Sequence, residues 1–135
     1  MNFNVHGGHS LKSKSSFLPS SASQAKPPQL LAHYDFPDDW EILLVILDSN
    51  NTVNGQKEVN IFQDYCPVPK NEVEQTSHII FMNMIPFLLE RDLPAFGHSI
   101  DEIQKRGFKN VEVSLQSQQI RDLMDKLREI GAYGV

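Results

Sequence analysis

The sequence predicts an α+β fold, with helices packed on one face of a largely antiparallel sheet. Three observations carry this. Residues 40–47 read Trp-Glu-Ile-Leu-Leu-Val-Ile-Leu, the near-continuous apolar run of a strand buried on both faces, hence central in a sheet. Residues 110–115 alternate Val111, Val113 and Leu115 against Glu112 and Ser114, the pattern of a strand with one wet face. Around them lie segments with apolar residues at helical spacing, so strands and helices are partly segregated along the chain.

In order, Asn2-Phe3-Asn4-Val5 alternates and forms the end of a strand. Lys26-Pro27-Pro28 breaks regular structure and forces extended backbone. Residues 29–36 read as a strand, and Asp35-Phe36-Pro37-Asp38-Asp39 as a turn before the run at 40–47. Residues 58–65 form a short helix, stopped by Cys66-Pro67-Val68-Pro69. A long helix runs from 71 to about 91 with Val73, Ile80, Met84 and Leu88 on its apolar line. Pro86 lies inside it and is expected to kink it by removing a backbone bond. Asp92 caps the next helix, 94–106, which buries Phe96, Ile100 and Ile103 and ends at Gly107. The last helix, about 117–130, is the most regular. Ser117 caps it, Gly131 ends it, and Ile120, Leu123, Met124, Leu127 and Ile130 are its core face.

At 135 residues, the length suits one domain, or one domain plus a piece of another. Twelve basic against seventeen acidic residues give a net charge of −5. The charge is asymmetric. Residues 1–34 carry Lys12, Lys14 and Lys26 and no acid; all seventeen acids follow. An acidic body with a mildly basic, Ser-rich front argues against general nucleic-acid binding and for a local small-anion site. Cys66 is the single cysteine, so no internal disulfide forms, which suits a reducing cytoplasm. No apolar run approaches the roughly 20 residues of a membrane span, and no secretory signal opens the chain. A soluble, cytoplasmic protein is expected, with no membrane partner.

The front of the chain holds the candidate site. In Gly7-Gly8-His9-Ser10, the glycines let backbone N–H groups converge on an anion. His9, Ser10 and Lys12 add side-chain donors. Ser20, Ser21 and Ser23 form a second hydroxyl cluster. Composition alone equally describes a polar arm or linker, and both readings stay open at this point. The other polar groups read as structural. His6 and His9 lack a third metal ligand nearby, and His78 and His98 sit on helices. Cys66 is a packed loop residue, Asp38-Asp39 a turn. Asp101, Glu102, Asp122 and Asp125 belong to solvated helix faces.

In order, Gly7-Gly8-His9-Ser10, Phe17-Leu18-Pro19-Ser20-Ser21-Ala22-Ser23 and Tyr34-Asp35-Phe36-Pro37 before Trp40 are followed by Ile61-Phe62 with Tyr65-Cys66-Pro67-Val68-Pro69. Leu93-Pro94-Ala95-Phe96-Gly97 and Gly107-Phe108-Lys109-Asn110-Val111-Glu112 complete the set. Together they resemble the archaeal beta-ribofuranosylaminobenzene 5′-phosphate synthases, of the galactokinase, homoserine kinase, mevalonate kinase and phosphomevalonate kinase superfamily. The resemblance covers essentially the whole chain. It implies that phosphoribosyl pyrophosphate is joined to 4-aminobenzoate or 4-hydroxybenzoate, with loss of carbon dioxide and pyrophosphate, in methanopterin biosynthesis. It implies magnesium as cofactor. The substrate loop would comprise Gly7, Gly8, His9, Ser10, Lys12, Ser20, Ser21 and Ser23, with no catalytic residue assigned. The implied fold is a ferredoxin-like C-terminal α+β domain over 29–135, with 1–28 as the remnant of an N-terminal α+β domain.

Two departures from the family pattern stand out. His6 occupies the place where an Asp is expected before Gly-Gly-His-Ser. The superfamily's Pro-x-x-x-Gly-Leu-Gly-Ser-Ser loop is expected upstream of Met1, and a second glycine-rich segment after Val135. The chain is therefore expected to be a C-terminal portion, inactive alone. The competing expectations are a small-molecule kinase of the same superfamily and a non-enzymatic remnant that pairs with another chain. The oligomeric state is open, a homodimer included.

Overall fold

A computed structural model describes residues 1–7, 26–47 and 56–135. The chain divides into two compact units, Met1–Cys66 and Pro67–Val135. The α+β class stands, but the described sheet is smaller than a ferredoxin-like domain needs.

In the first unit, strands β1 (Asn2–His6) and β2 (Leu30–Asp35) pair antiparallel. They lie on either side of the boundary expected between residues 28 and 29. Val5 faces Ala32 and His6 faces Leu30, so Leu31 is the extra residue of a bulge. Phe36 N–H donates to the Met1 carbonyl at 3.0 Å, closing the far end of the ladder. His33 Nδ1 and Asn4 Oδ1 meet across it at 2.7 Å. Trp40 N–H donates to the Pro37 carbonyl, and the Phe36 and Trp40 rings pack edge to face, with centroids 5.4 Å apart. The buried strand expected at 40–47 is absent. Trp40 is half-buried, and residues 41–47 are exposed and form neither strand nor helix. A central strand needs a neighbour on each edge, and no described strand besides β1 and β2 offers one. Helix α1 (Gln56–Tyr65) matches the short helix expected at 58–65 and buries Val59.

The second unit is helical throughout. Helix α2 (Lys70–His78), a π-helical segment (Ile79–Met84) and α3 (Ile85–Glu90) follow one another without interruption. This is the long helix expected from 71 to 91, and the π segment takes the place of the expected kink. Pro86 has no N–H, and its ring would collide with the carbonyl four residues back. A stretch of i→i+5 bonding just before it makes room. Ile85 N–H accordingly donates to the Ile80 carbonyl. The wider turn also shifts the apolar face. Ile79, Met84, Ile85 and Leu88 are buried, whereas Val73 and Ile80 of the expected line are not. Arg91, in the left-handed region at φ 60°, ends α3, and Asp92 N–H returns to the Phe87 carbonyl at 2.9 Å.

Helix α4 (Leu93–Gln104) starts as expected, with Asp92 Oδ1 accepting from Ala95 N–H at 3.0 Å. It packs on the π segment and α3 and buries Phe96, Gly97 and Ser99. Ile100 and Ile103 are half-buried. The Ser99 hydroxyl is satisfied by the Ala95 carbonyl at 2.9 Å. Gly107 does not end this helix. It opens the next, α5 (Gly107–Ser114), which replaces the strand expected at 110–115. The reason is a distant cap. Glu72 of α2 accepts the Gly107 N–H at 3.2 Å, satisfying a first-turn donor that no local side chain reaches. A Lys109–Glu112 pair at 2.6 Å supports the helix on its exposed side.

Helix α6 (Gln118–Glu129) is capped by Ser117, whose hydroxyl accepts from Ile120 N–H, and Gly131 at φ 107° ends it, both as expected. Its apolar face is not core. Ile120, Leu123, Met124 and Leu127 are half-buried, and Ile130 is exposed.

Beyond Gly131 the chain lies against α4. A Cβ on Gly97 would stand 2.3 Å from the Tyr133 carbonyl carbon, and one on Gly134 would stand 2.5 Å from the Gly97 carbonyl oxygen. Two glycines thus permit a backbone-on-backbone approach that no side chain would allow. Asp101 fastens it. Its Oδ1 accepts from Val135 N–H at 3.2 Å and from Arg128 Nη2 at 3.1 Å. Expected on a solvated face, Asp101 is half-buried and holds α4, α6 and this segment together.

Candidate functional site

The loop that carries the expected site residues is the connection between β1 and β2. Their pairing brings its two ends together. At the base, Gly7 N–H donates to the Gln29 carbonyl at 2.8 Å, and His6 Nδ1 lies 3.4 Å from the Pro28 carbonyl. The bulge at Leu31 sits beside this closure, where an added twist redirects the exit of the strands. A Cβ on Gly7 would make only ordinary contacts with Leu31, so space does not require glycine there.

Of the expected anion donors, Gly7 lies within the described residues, and its N–H is engaged by Gln29. Gly8, His9, Ser10, Lys12, Ser20, Ser21 and Ser23 lie outside them. The sequence reading missed Pro28 and Gln29, whose carbonyls form the other half of the closure. Lys26-Pro27-Pro28, expected as a breaker that forces extended backbone, leads from the loop into β2 and forms neither strand nor helix. The usable signal was the match between two alternating segments, Phe3 and Val5 against Tyr34 and Ala32.

A concavity of about 430 Å³ lies in the helical unit among α4, α5 and α6. Asp101, Lys105, Arg121, Asp125 and Arg128 line it. Its cations are already engaged. Arg128 Nη1 reaches Asp125 at 3.0 Å, and its Nε and Nη2 both reach Asp101. Arg121 donates to the Ser114 and Gln116 carbonyls and to Gln118. The hydrogen bond and the charge of Lys105, 2.7 Å away, hold the Glu102 carboxyl below its ordinary pKa. These groups bind one another, which suits a structural joint better than a receptor for a further anion.

Magnesium takes oxygen ligands in octahedral geometry. Among the described residues no group of three or more His, Cys, Asp or Glu side chains is placed to hold a metal ion. His6 offers an imidazole nitrogen where an acid is expected. The described residues therefore do not form a protein cage for magnesium. No helix among them is long and apolar enough to cross a membrane.

Fold and loop together define an α+β protein whose Gly/Ser-rich connection is gathered at its base by a two-stranded ladder. Comparison with known proteins places this chain more narrowly. It is 51% identical over 132 residues, 98% of its length, to the beta-ribofuranosylphenol 5′-phosphate synthase of Methanothermobacter thermautotrophicus. It is 46% identical to the proteins of the same name from Archaeoglobus fulgidus and Methanocaldococcus jannaschii, with 94% of the chain covered in each case. No family model matches the sequence. Over the stretch that it covers, the chain is similar to these archaeal synthases. It spans about two-fifths of their length, 40%, 40% and 39% respectively.

Proposed function

We propose that the chain supplies the phosphate-recognition loop of a phosphoribosyl-transferring synthase in methanopterin biosynthesis. The observation that carries this is the 46–51% identity to three synthases over 94–98% of the chain. The relatives' names specify a ribofuranosyl group on a phenol, with a 5′-phosphate. That favours 4-hydroxybenzoate over 4-aminobenzoate as acceptor. In the step, the ring carbon bearing the carboxylate bonds to C1′ of phosphoribosyl pyrophosphate. Pyrophosphate departs with the C1′–O electron pair. Carbon dioxide then leaves, returning its C–C electron pair to the ring and giving the phenol.

Donors along this loop are suited to the charge on such a substrate. On this reading the side chains of His9, Ser10, Lys12, Ser20, Ser21 and Ser23 bind phosphate oxygens. The Gly7 amide serves the ladder and fixes where the loop begins. Magnesium, when bound, would supply charge neutralisation at the substrate phosphates, with no cage of described side chains to hold it. The 135-residue chain alone is inactive on this reading, and its substrates are small molecules.

The test is a chimera in which residues 1–135 replace the matched stretch of the Methanothermobacter protein. It should release carbon dioxide from carboxyl-labelled 4-hydroxybenzoate only when phosphoribosyl pyrophosphate is present. His9→Ala and Ser10→Ala should each weaken binding of phosphoribosyl pyrophosphate about tenfold, roughly one charge-assisted hydrogen bond. A folded chimera that turns over nothing, or variants with unchanged affinity, would refute the assignment.

A further inference from the structure

The segment Ile42-Leu43-Leu44-Val45-Ile46-Leu47 has no partner among the described residues, although its composition is that of a core element. Leu43, Leu44 and Ile46 are 76%, 78% and 80% exposed, and Ile42 is 60% exposed. Residues of both parities are apolar, so as a strand it would bury both faces. Six such residues left in water form a template for pairing with another strand. The start of the segment is fixed by the Phe36–Trp40 ring contact and the Trp40-to-Pro37 hydrogen bond.

Three occupants are conceivable, and charge and length discriminate among them. A lipid surface suits the apolar side chains, but six residues are too few to span a bilayer. Asp38, Asp39 and Glu41 beside the segment also repel anionic headgroups. A second copy of the chain meets like charges in the two registers that align the apolar runs fully. Antiparallel pairing centred between residues 44 and 45 sets Glu41 against Asp48, and parallel pairing in register sets each acid against itself. The third occupant is polypeptide equivalent to the larger part of the relatives, which lies outside the stretch that this chain matches.

We infer that residues 42–47 form a docking strand for that remaining polypeptide, whether it is joined to this chain or supplied separately. The partner contributes an extended segment that bonds to the 42–47 backbone by strand addition, and apolar surfaces that cover both faces. The inference rests on relatedness and exposure, and is independent of the reaction catalysed.

Amide hydrogen exchange tests it, read at residues 42–47. In the 135-residue protein alone these amides should exchange close to unprotected rates. Addition of the Methanothermobacter polypeptide that lies outside the matched stretch should slow them at least tenfold, with a 1:1 complex in light scattering. Val45→Pro, which removes a ladder donor, should abolish the complex and leave the urea midpoint of the protein alone unchanged. If the separate polypeptide does not fold, the same amides are read in the folded chimera, where they should be equally slow. Fast exchange there overturns the inference. So does protection in the protein alone accompanied by a dimer mass, which makes a second copy the occupant. Protection gained only on lipid vesicles overturns it as well. Turnover is not the readout, so the docking strand and the proposed reaction fail separately.

Discussion

The two compact units spend similar apolar sequence very differently. In Pro67–Val135 the strongest apolar residues close on one another. Ile79, Met84, Ile85, Leu88 and Phe96 are all buried, and every described element of that unit is a helix. In Met1–Cys66 a denser apolar run, 42–47, stays in water, and the core residues are Val5 and Val59. Local hydrophobicity therefore does not decide what is core. A helix satisfies its backbone internally and needs only one covered face, whereas a strand needs neighbours along both edges before burial is affordable.

The sharpest test of this contrast is a pair of leucines. Leu88→Ala removes a side chain that is 2% exposed and should cost about 2–5 kcal/mol in urea unfolding. Leu44→Ala should stay within about 0.5 kcal/mol. Equal losses would erase the distinction between the units. A smaller effect is expected where the last residues lie on α4. Gly97→Ala forces a Cβ into the Tyr133 carbonyl and should cost about 1–3 kcal/mol, with faster amide exchange at 133–135. Unchanged exchange would show that this close approach is not populated. The smallest effect concerns pH. The Glu102 carboxyl is lowered in the folded chain by Lys105, so folding favours its ionised form. Its contribution is complete above the unfolded pKa and disappears as pH falls through the folded one. Glu102→Gln should therefore flatten the acid side of the stability profile slightly and leave the neutral region alone. The same slope in both proteins would exclude that linkage.

What the sequence revealed about this fold follows the distance over which each feature is decided. The Asp92 and Ser117 caps and the Gly131 stop involve partners within a few residues, and all three were legible. Residues 110–115 were misread because their alternation is a local signal, while the Glu72 carboxylate that favours a helix there lies 35 residues before the Gly107 N–H it accepts. The burial of α6 was overestimated for a related reason. Regular spacing identifies an apolar face but not how much of it is covered. At the candidate site, the glycines, lysine and serines marked an anion-suited loop, yet its closure was invisible. Gly7 and Gln29 meet through a strand register that neither residue announces.

That closure bears on how the loop can change. Because the ladder and the Gly7–Gln29 hydrogen bond pin the two ends, a change of length between these anchors need not displace either strand. For a free connecting chain, doubling the length adds only about 0.6 kcal/mol of closure entropy. Insertions and deletions between these anchors are thus cheap. The β1–β2 pair works as a fixed socket in which loops of different length and chemistry can be exchanged.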